Sequence, residues 1–177
     1  MGRITVSQLD EMPADEAGAL LKECCGSSRW VAMMLARRPF RFRDSVFFAA
    51  DMFWKSLTLR DRMEAFAHHP RIGEKSGAKP QGERGARWSA LEQSGMDVVE
   101  AELRKEIAEI NREYEDRFGY IYIVSAQGKT AAELLTIAKD RLRNSPEREI
   151  RVACEEQKKI MHLRLEKLLG PKEETFV

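Results

Sequence analysis

Residues 68–93, HHPRIGEKSGAKPQGERGARWSALEQ, form the stretch around which the remaining chain is expected to be arranged. The stretch begins with two histidines and a proline, continues through a loop rich in glycine and lysine, and ends in a short helical segment, residues 88–93, that carries Glu92. A histidine restricted by the following proline, a connecting loop and a carboxylate are the components of a general acid/base pair. We expect the predicted helices on either side to hold the two ends of this stretch together.

The length and composition are those of an ordinary globular protein. A chain of 177 residues, of which 43% are hydrophobic and 33% charged, suffices for one domain with a sizeable core. The net charge of +1 gives no general argument for a nucleic-acid or membrane-surface protein. Three cysteines without metal-ligand spacing predict reduced thiols and a cytoplasmic location. We expect no signal peptide, and the longest apolar run, residues 46–54, is too short to cross a bilayer.

Hydrophobic spacing predicts an all-α fold: one compact domain over residues 1–177 with about eight helices, ending in a flexible tail at residues 171–177. A long loop is expected over residues 73–85, which hold four glycines and a proline. Besides the short segment at 88–93, the predicted helices cover residues 7–24 with a break near Pro13, 30–36, 44–57, 58–68, 97–117, 130–142 and 145–169.

Residues 118–124, FGYIYIV, are the one stretch whose composition is typical of a strand. No partner strand is evident in the sequence, so we expect an extended connector near residues 118–125 that crosses the core. Three helix starts carry capping signals that satisfy the first backbone N–H groups of a helix. These signals are the pairs Thr58/Asp61, Thr130/Glu133 and Ser145/Pro146.

Arg164 interrupts the apolar face predicted for the last helix. At about 100° per residue it falls within the stripe formed by apolar side chains at positions 150, 154, 161, 165 and 168. An unpaired buried charge is very costly, so this arginine requires an anionic partner. Two partners are consistent with the pattern: one of the 29 acidic residues, or a substrate carboxylate held by the guanidinium fork.

His69 directly precedes Pro70, and its imidazole titrates in the range that a general acid or base needs. The alternative is a histidine that simply ends a helix and bonds its carbonyl groups. Glu92 follows Ser89 by three residues, so the two side chains share one side of the predicted helix, and with Gln93 they offer groups that suit a polar heterocycle. The alternative for this short segment is a solvated helix face.

Other functional classes have weaker support in the sequence. No HExxH motif or zinc-type cysteine spacing is present, so we do not expect a catalytic metal, and we assign His68 to a structural role. Residues 29–43 contain five arginines among aromatic side chains, as in a nucleic-acid patch. The nearly neutral chain instead favours a basic helix end at the surface or at a subunit interface.

Several of these motifs occur together in the order found in one family. They are HHPRIGEK (68–75), SALEQ (89–93), NREYEDRFGYIYIV (111–124), RLRNSPEREI (141–150) and KKIMHLRL (158–165). Over nearly its whole length the chain resembles the 2-oxo-4-hydroxy-4-carboxy-5-ureidoimidazoline (OHCU) decarboxylases, which catalyse the last step of urate degradation. Ile121 stands where the family usually has a proline, which leaves an additional backbone N–H in the extended segment.

The resemblance implies an all-α homodimer that converts a small ureidoimidazoline substrate to (S)-allantoin without a metal or an organic cofactor. It implies catalytic roles for His69, Glu92 and Arg164. Two alternative functions stay open: a non-catalytic helical binding module that uses residues 29–43, and a lyase or hydrolase acting on a related ureido compound. The substrate-binding residues implied by the resemblance are Pro70, Ser89, Glu92, Gln93, Tyr122, Ile123, Val124, Ser125 and Ala126.

Overall fold

The computed structural model describes residues 3–72 and 101–170, and the described part of the chain is helical without strands. The all-α, single-domain prediction is therefore confirmed. The predicted loop at 73–85, the predicted helix at 88–93 and the predicted tail at 171–177 lie outside the described residues. The described helices are α1 (Val6–Glu11), α2 (Ala14–Cys24), α3 (Ser28–Arg37), α4 (Arg43–Ser56), α5 (Leu59–Ala67), α6 (Ala101–Phe118), α7 (Ala131–Arg141) and α8 (Pro146–Leu169).

Side-chain caps explain where several of these helices begin. Thr58 and Thr130 each accept a hydrogen bond from the backbone of the residue three positions on, and the carboxylates of Asp61 and Glu133 bond back, so both predicted capping boxes are confirmed. Ser145 caps α8, as predicted, and Pro146 occupies its first position. At the other end of α8, Gly170 has a φ of 74°, a left-handed conformation that favours glycine.

The first hydrophobic core lies between the N-terminal helices α1 to α5 and the long C-terminal helix α8. Trp30 of α3 is fully buried there, and its indole N–H donates to the Ala50 carbonyl of α4 at 3.1 Å. Burying such a large ring with its polar N–H satisfied fixes the angle at which these helices meet. Helix α8 contributes buried residues to this core from Ala153 to Leu169, along most of its length.

A second, smaller core lies between α6, α7 and the chain that joins them. Residues 121–126 belong to no helix, and alternate side chains enter different cores: Ile123 packs in the first, whereas Tyr122 and Val124 pack in the second. This alternation is typical of an extended backbone, in which successive side chains point in opposite directions. The predicted extended connector is confirmed. It lies between the two cores and contributes side chains to both.

A buried ion pair fixes the connector to the helices around it. Arg141 donates to the Glu149 carboxylate at 2.7 Å, to the Ile123 carbonyl at 2.7 Å and to the Tyr114 hydroxyl at 3.1 Å. The Tyr114 hydroxyl also donates to Glu149, and Asn144 donates to the second carboxylate oxygen at 2.6 Å. Because every member has partners, two opposite charges are accommodated in the interior at the junction of α6, α7, α8 and the connector.

Glu149→Leu should lower the free energy of unfolding by about 3–5 kcal/mol, because it leaves the Arg141 guanidinium buried without its counter-charge. Urea denaturation followed by circular dichroism measures this change. Asp140→Ala is the matched control, since it removes an exposed ion pair with Arg143 and should change stability by less than about 1 kcal/mol. Equal losses in the two variants would contradict a special role for the buried pair.

Candidate active site

His69 follows the C-terminus of α5 in the position that the His-Pro sequence predicts. The helix ends at Ala67, His68 is its C-cap, and the His69 N–H donates to the Phe66 carbonyl at 3.1 Å. The helix cannot continue because Pro70 disfavours helical backbone at the residue before it. His69 and Pro70 are both partly buried. The end of a short, capped helix therefore presents the imidazole to the interior from a fixed backbone.

The turn between α2 and α3 packs directly against His68. A Cβ atom added to Gly26 would lie 2.2 Å from the Cβ of His68 and 2.6 Å from its Cγ, far inside normal contact distance. Glycine at position 26 is therefore required by this close approach, rather than by its own backbone conformation. The contact fixes how near α5 can come to the turn, and so where the following residue, His69, is placed.

An ion-pair cluster ties α5 to the same turn from the other side. Glu64 of α5 accepts hydrogen bonds from Lys22 Nζ at 2.8 Å and from the Ser28 backbone N–H at 3.0 Å. Burial alone would raise the pKa of Glu64, but the hydrogen bonds from Lys22 and Ser28 prevail and lower it to about 2. Because Glu64 stays ionised at neutral pH, this attachment of α5 to α2 and α3 persists under physiological conditions.

Arg164 of α8 is fully buried, as its place in the apolar stripe predicts. One guanidinium nitrogen, Nη1, donates to the Glu23 backbone carbonyl at 3.0 Å. The other, Nη2, lies 3.3 Å from Nδ1 of His69. Two side chains that the sequence suggested independently, separated by 95 positions along the chain, thus meet in the interior. The site that they form lies between the end of α5 and the C-terminal third of α8.

The environment of His69 favours the neutral imidazole. Burial, the positive charge of Arg164 and the nearby His68 together hold the pKa of His69 well below 6.5. A guanidinium can only donate hydrogen bonds, so Nδ1 of His69 is the acceptor in this contact and the ring proton is assigned to Nε2. Nε2 is buried and makes no hydrogen bond of normal geometry to any described residue. Nδ1 of the imidazole is therefore already hydrogen-bonded, whereas the N–H at Nε2 can donate to a bound molecule.

Gln157 of α8 is a third polar residue at this site, and the sequence analysis missed it. It is fully buried two helical turns before Arg164, and its amide lies near enough to His69 to favour the protonated imidazole. Neither amide atom makes a hydrogen bond of normal geometry within the described residues. The signal that identified Arg164, a polar side chain within an apolar stripe, was equally available for Gln157.

The extended segment predicted to bind substrate is held by the same helix. The Ser125 N–H donates to Glu156 of α8 at 2.8 Å, and the Ser125 carbonyl accepts from Lys129 at 2.7 Å. The Tyr122 hydroxyl donates to the Leu134 carbonyl at 3.2 Å. Ile123, Val124 and Ala126 are buried. The segment therefore has a defined position on α8, about 12 Å along the helix axis from Arg164.

The remaining predicted site residues, Ser89, Glu92 and Gln93, lie outside the described residues, so their relation to His69 stays a prediction. A groove of about 630 Å³ on the outer side of α8 contains Ser125 from the predicted set, but neither His69 nor Arg164 lines it. Its histidine, His162, is hydrogen-bonded to Asp51 of α4. We therefore place the candidate active site at the buried pair and not at this groove.

The structure assigns internal roles to part of the basic segment 29–43. The Arg38 guanidinium donates to the carbonyls of Leu9 and Met12 at 2.9 and 2.7 Å, at the end of α1. Arg43 donates to the Gly170 carbonyl and lies over the Phe47 ring at 4.9 Å. Arginines bound within the chain are not available to phosphate groups, which weakens the interpretation of this segment as a nucleic-acid patch.

The cysteines and the remaining surface offer little other chemistry. Cys24, Cys25 and Cys154 are buried and form no disulfide bond, in agreement with the prediction of reduced thiols. Burial raises the pKa of the Cys25 thiol to about 12, so it is not a nucleophile at neutral pH.

Among the described residues, no three potential ligand side chains of the His, Cys, Asp or Glu types form a cluster that could hold a metal ion. None of the described helices is long and apolar enough to cross a membrane.

Comparison with known proteins links this chain to one family. The family model for OHCU decarboxylase matches residues 10–166. The chain is 33% identical to the uric acid degradation bifunctional protein TTL of Arabidopsis thaliana over 85% of its own length, and 26% identical to the uric acid degradation bifunctional protein of Bacillus sp. over 92%. It spans 47% and 32% of these two relatives, respectively.

A solved structure shows the same fold. A crystal structure of an OHCU decarboxylase in the presence of (S)-allantoin superposes with a TM-score of 0.74 at 31% identity, and the match covers 86% of this chain and 99% of that one. The family match extends from α1 into α8 and includes both halves of the buried His69–Arg164 pair. On these grounds the chain belongs to the OHCU decarboxylase family.

Proposed function

We propose that this protein catalyses the decarboxylation of 2-oxo-4-hydroxy-4-carboxy-5-ureidoimidazoline to (S)-allantoin, without a metal or an organic cofactor. The observation that carries the proposal is the buried contact between His69 and Arg164, which puts a neutral acid/base group beside a permanent positive charge. Family membership and the similarity to an OHCU decarboxylase studied in the presence of (S)-allantoin support it.

The substrate has three features that this site can recognise: a carboxylate, a hydroxyl on the same ring carbon, and a ureido arm on the neighbouring carbon. Arg164 can hold the anionic group, because a guanidinium forms two-point hydrogen bonds with a carboxylate and stays charged at all physiological pH values. A buried cation also binds an anion more strongly than an exposed one, since less water competes for it.

The reaction requires the loss of CO2 and three proton transfers. The bond between the ring carbon and the carboxylate breaks, and its electron pair forms a double bond to the neighbouring ring carbon. The electron pair of the adjacent C=N bond moves onto nitrogen, which takes up a proton from solvent. The resulting enol passes its hydroxyl proton to His69, and His69 returns a proton to the carbon that carries the ureido arm. The hydroxyl becomes a carbonyl, and delivery of the proton from one side produces a single enantiomer.

The contact between Arg164 and His69 suggests how substrate binding activates the imidazole. In the present arrangement Nδ1 of His69 accepts from the guanidinium and cannot accept a substrate proton at the same time. A substrate anion that attracts the Arg164 N–H groups would release Nδ1, which then serves as the base. We also assign Glu92 to the binding of ring or ureido N–H groups, and Pro70, Ser89, Gln93 and residues 122–126 to the substrate pocket.

His69→Ala should reduce the enzymatic rate by about 10²–10⁴-fold, because a positioned acid/base group contributes an acceleration of that order. The measurement is a circular-dichroism time course in which urate, urate oxidase and hydroxyisourate hydrolase generate the substrate in place. His162→Ala is the matched control, since His162 contacts Asp51 and Phe47 away from the site and should leave the rate unchanged. Formation of one allantoin enantiomer at the wild-type rate by the His69 variant would refute its assignment.

The pH dependence of kcat/KM should reflect the lowered pKa of His69. A base must be unprotonated in the free enzyme, and an ordinary histidine would be half protonated, with half the activity lost, near pH 6.5. Because the pKa of His69 lies well below that value, kcat/KM should stay constant as the pH falls through 6.5 and decline only at lower pH. Initial rates corrected for spontaneous decay test this. A midpoint at or above 6.5 would mean that His69 is not the group that titrates.

We further propose that the protein is a homodimer, as the family resemblance suggests, and that it is cytoplasmic, which agrees with three buried cysteines that form no disulfide bond. Exposed apolar side chains on and beside α4, Phe42, Phe48, Met52 and Leu59, are consistent with an interface of this kind. Light scattering coupled to size-exclusion chromatography should give a mass of twice the 20.3 kDa chain. A mass of one chain at micromolar concentration would exclude a stable dimer.

A further inference from the structure

Gln157 has hydrogen-bonding capacity that the described structure does not use. Its side chain is fully buried on α8, and both the amide nitrogen and the amide oxygen are without a hydrogen-bond partner among the described residues. The His69 imidazole is next to this amide, and its Nε2 atom is likewise buried without a hydrogen-bond partner of normal geometry among the described residues. Two neighbouring polar groups in the candidate active site are thus buried without a hydrogen bond of normal geometry among the described residues.

Such an arrangement is unfavourable unless something compensates for it. A buried amide without partners forfeits the hydrogen bonds that it would make to water, and most buried polar groups in proteins are satisfied for this reason. Methionine or leucine would occupy the same place in the apolar stripe without that cost. Unsatisfied polar groups beside a catalytic histidine are therefore understandable as groups that await a bound molecule.

We propose that Gln157 binds the ureido arm of the substrate. A primary amide has an N–H donor and a carbonyl acceptor side by side, and a urea group presents the complementary acceptor and donor, so the two can form a pair of parallel hydrogen bonds. This inference rests on the proposed function, because the substrate of that reaction is what carries a ureido arm. It adds to the site a residue that neither the family motifs nor the sequence pattern identified.

The charges of the site determine which part of the substrate meets which residue. Arg164 is a permanent cation and takes the carboxylate, whereas Gln157 is neutral and takes the neutral ureido group. Both residues lie on the same face of α8, seven positions apart, and both are neighbours of His69. The two ends of the substrate are then held from one rigid helix, with the imidazole beside the carbon atoms that exchange CO2 for a proton.

The test uses two ligands with the wild-type protein and with Gln157→Met, which keeps the length of the side chain but removes its polar atoms. (S)-Allantoin carries the ureido arm, and hydantoin is the same ring without it. Calorimetry or ligand-observed NMR should show about tenfold weaker binding of (S)-allantoin by Gln157→Met, the loss expected when buried hydrogen bonds to a ligand are removed. The affinity for hydantoin should change less than about twofold.

Kinetics provide a second readout. If the ureido arm is held equally in the ground state and the transition state, Gln157→Met should raise KM about tenfold and leave kcat nearly unchanged. Should Gln157→Met fail to fold, Gln157→Glu replaces it, because a carboxylate keeps the size and an acceptor but loses the N–H donors, and it too should weaken (S)-allantoin binding. Arg151→Met, at an exposed position of the same helix, is the control and should behave like wild type.

The outcomes separate this inference from the proposed function. Unchanged (S)-allantoin affinity and KM in a folded Gln157 variant would overturn the inference, even if decarboxylation by the wild-type protein is rapid. Equal weakening of (S)-allantoin and hydantoin would also overturn it, since the ureido arm would then not be the group recognised. A wild-type protein that binds (S)-allantoin through Gln157 but does not accelerate decarboxylation would refute the proposed function alone.

Discussion

The buried ion pair between Arg141 and Glu149 joins the two halves of the described structure. Here α6, α7, α8 and the extended connector share a hydrogen-bond network, through Tyr114, Arg141, Glu149 and the Ile123 carbonyl. Two charges can stay in the interior only if their geometry is good and their remaining hydrogen bonds are satisfied. This requirement restricts the connector to one position, and that position allows its alternate side chains to complete both cores.

Helix α8 transmits this constraint to the candidate active site. Its first turns carry Glu149, its middle carries Gln157, and Arg164 follows two turns later, all as buried polar residues on a helix of 24 residues. At the end of α5, His69 contacts Arg164 of the same helix. The tight contact between His68 and Gly26 positions His69. A functional group held by a long packed helix moves less than one on a loop, which suits a reaction that must protonate one face of a planar intermediate.

Local patterns predicted much of this arrangement, because the interactions behind them are local. Capping boxes at Thr58 and Thr130 and the end of α5 before Pro70 each depend on residues within a few positions of one another. The helical period was sufficient to place Arg164 in the interior. The same reasoning did not extend to Gln157, because an uncharged amide is less costly to bury than a charge and is therefore a weaker signal. It also did not predict the burial of Arg141 and Glu149.

The sequence by itself therefore determined the described helices, the extended connector, the burial of Arg164 and, through its ordered motifs, the family. The tertiary structure decided which distant residues are in contact. Arg164 contacts His69 and the Glu23 carbonyl, and Glu149 is the partner of Arg141. It also decided that the pKa of His69 lies well below its usual value. The physical reason is that hydrogen bonds, ion pairs and desolvation depend on distances across the fold, whereas helix propensity and capping depend on neighbours along the chain.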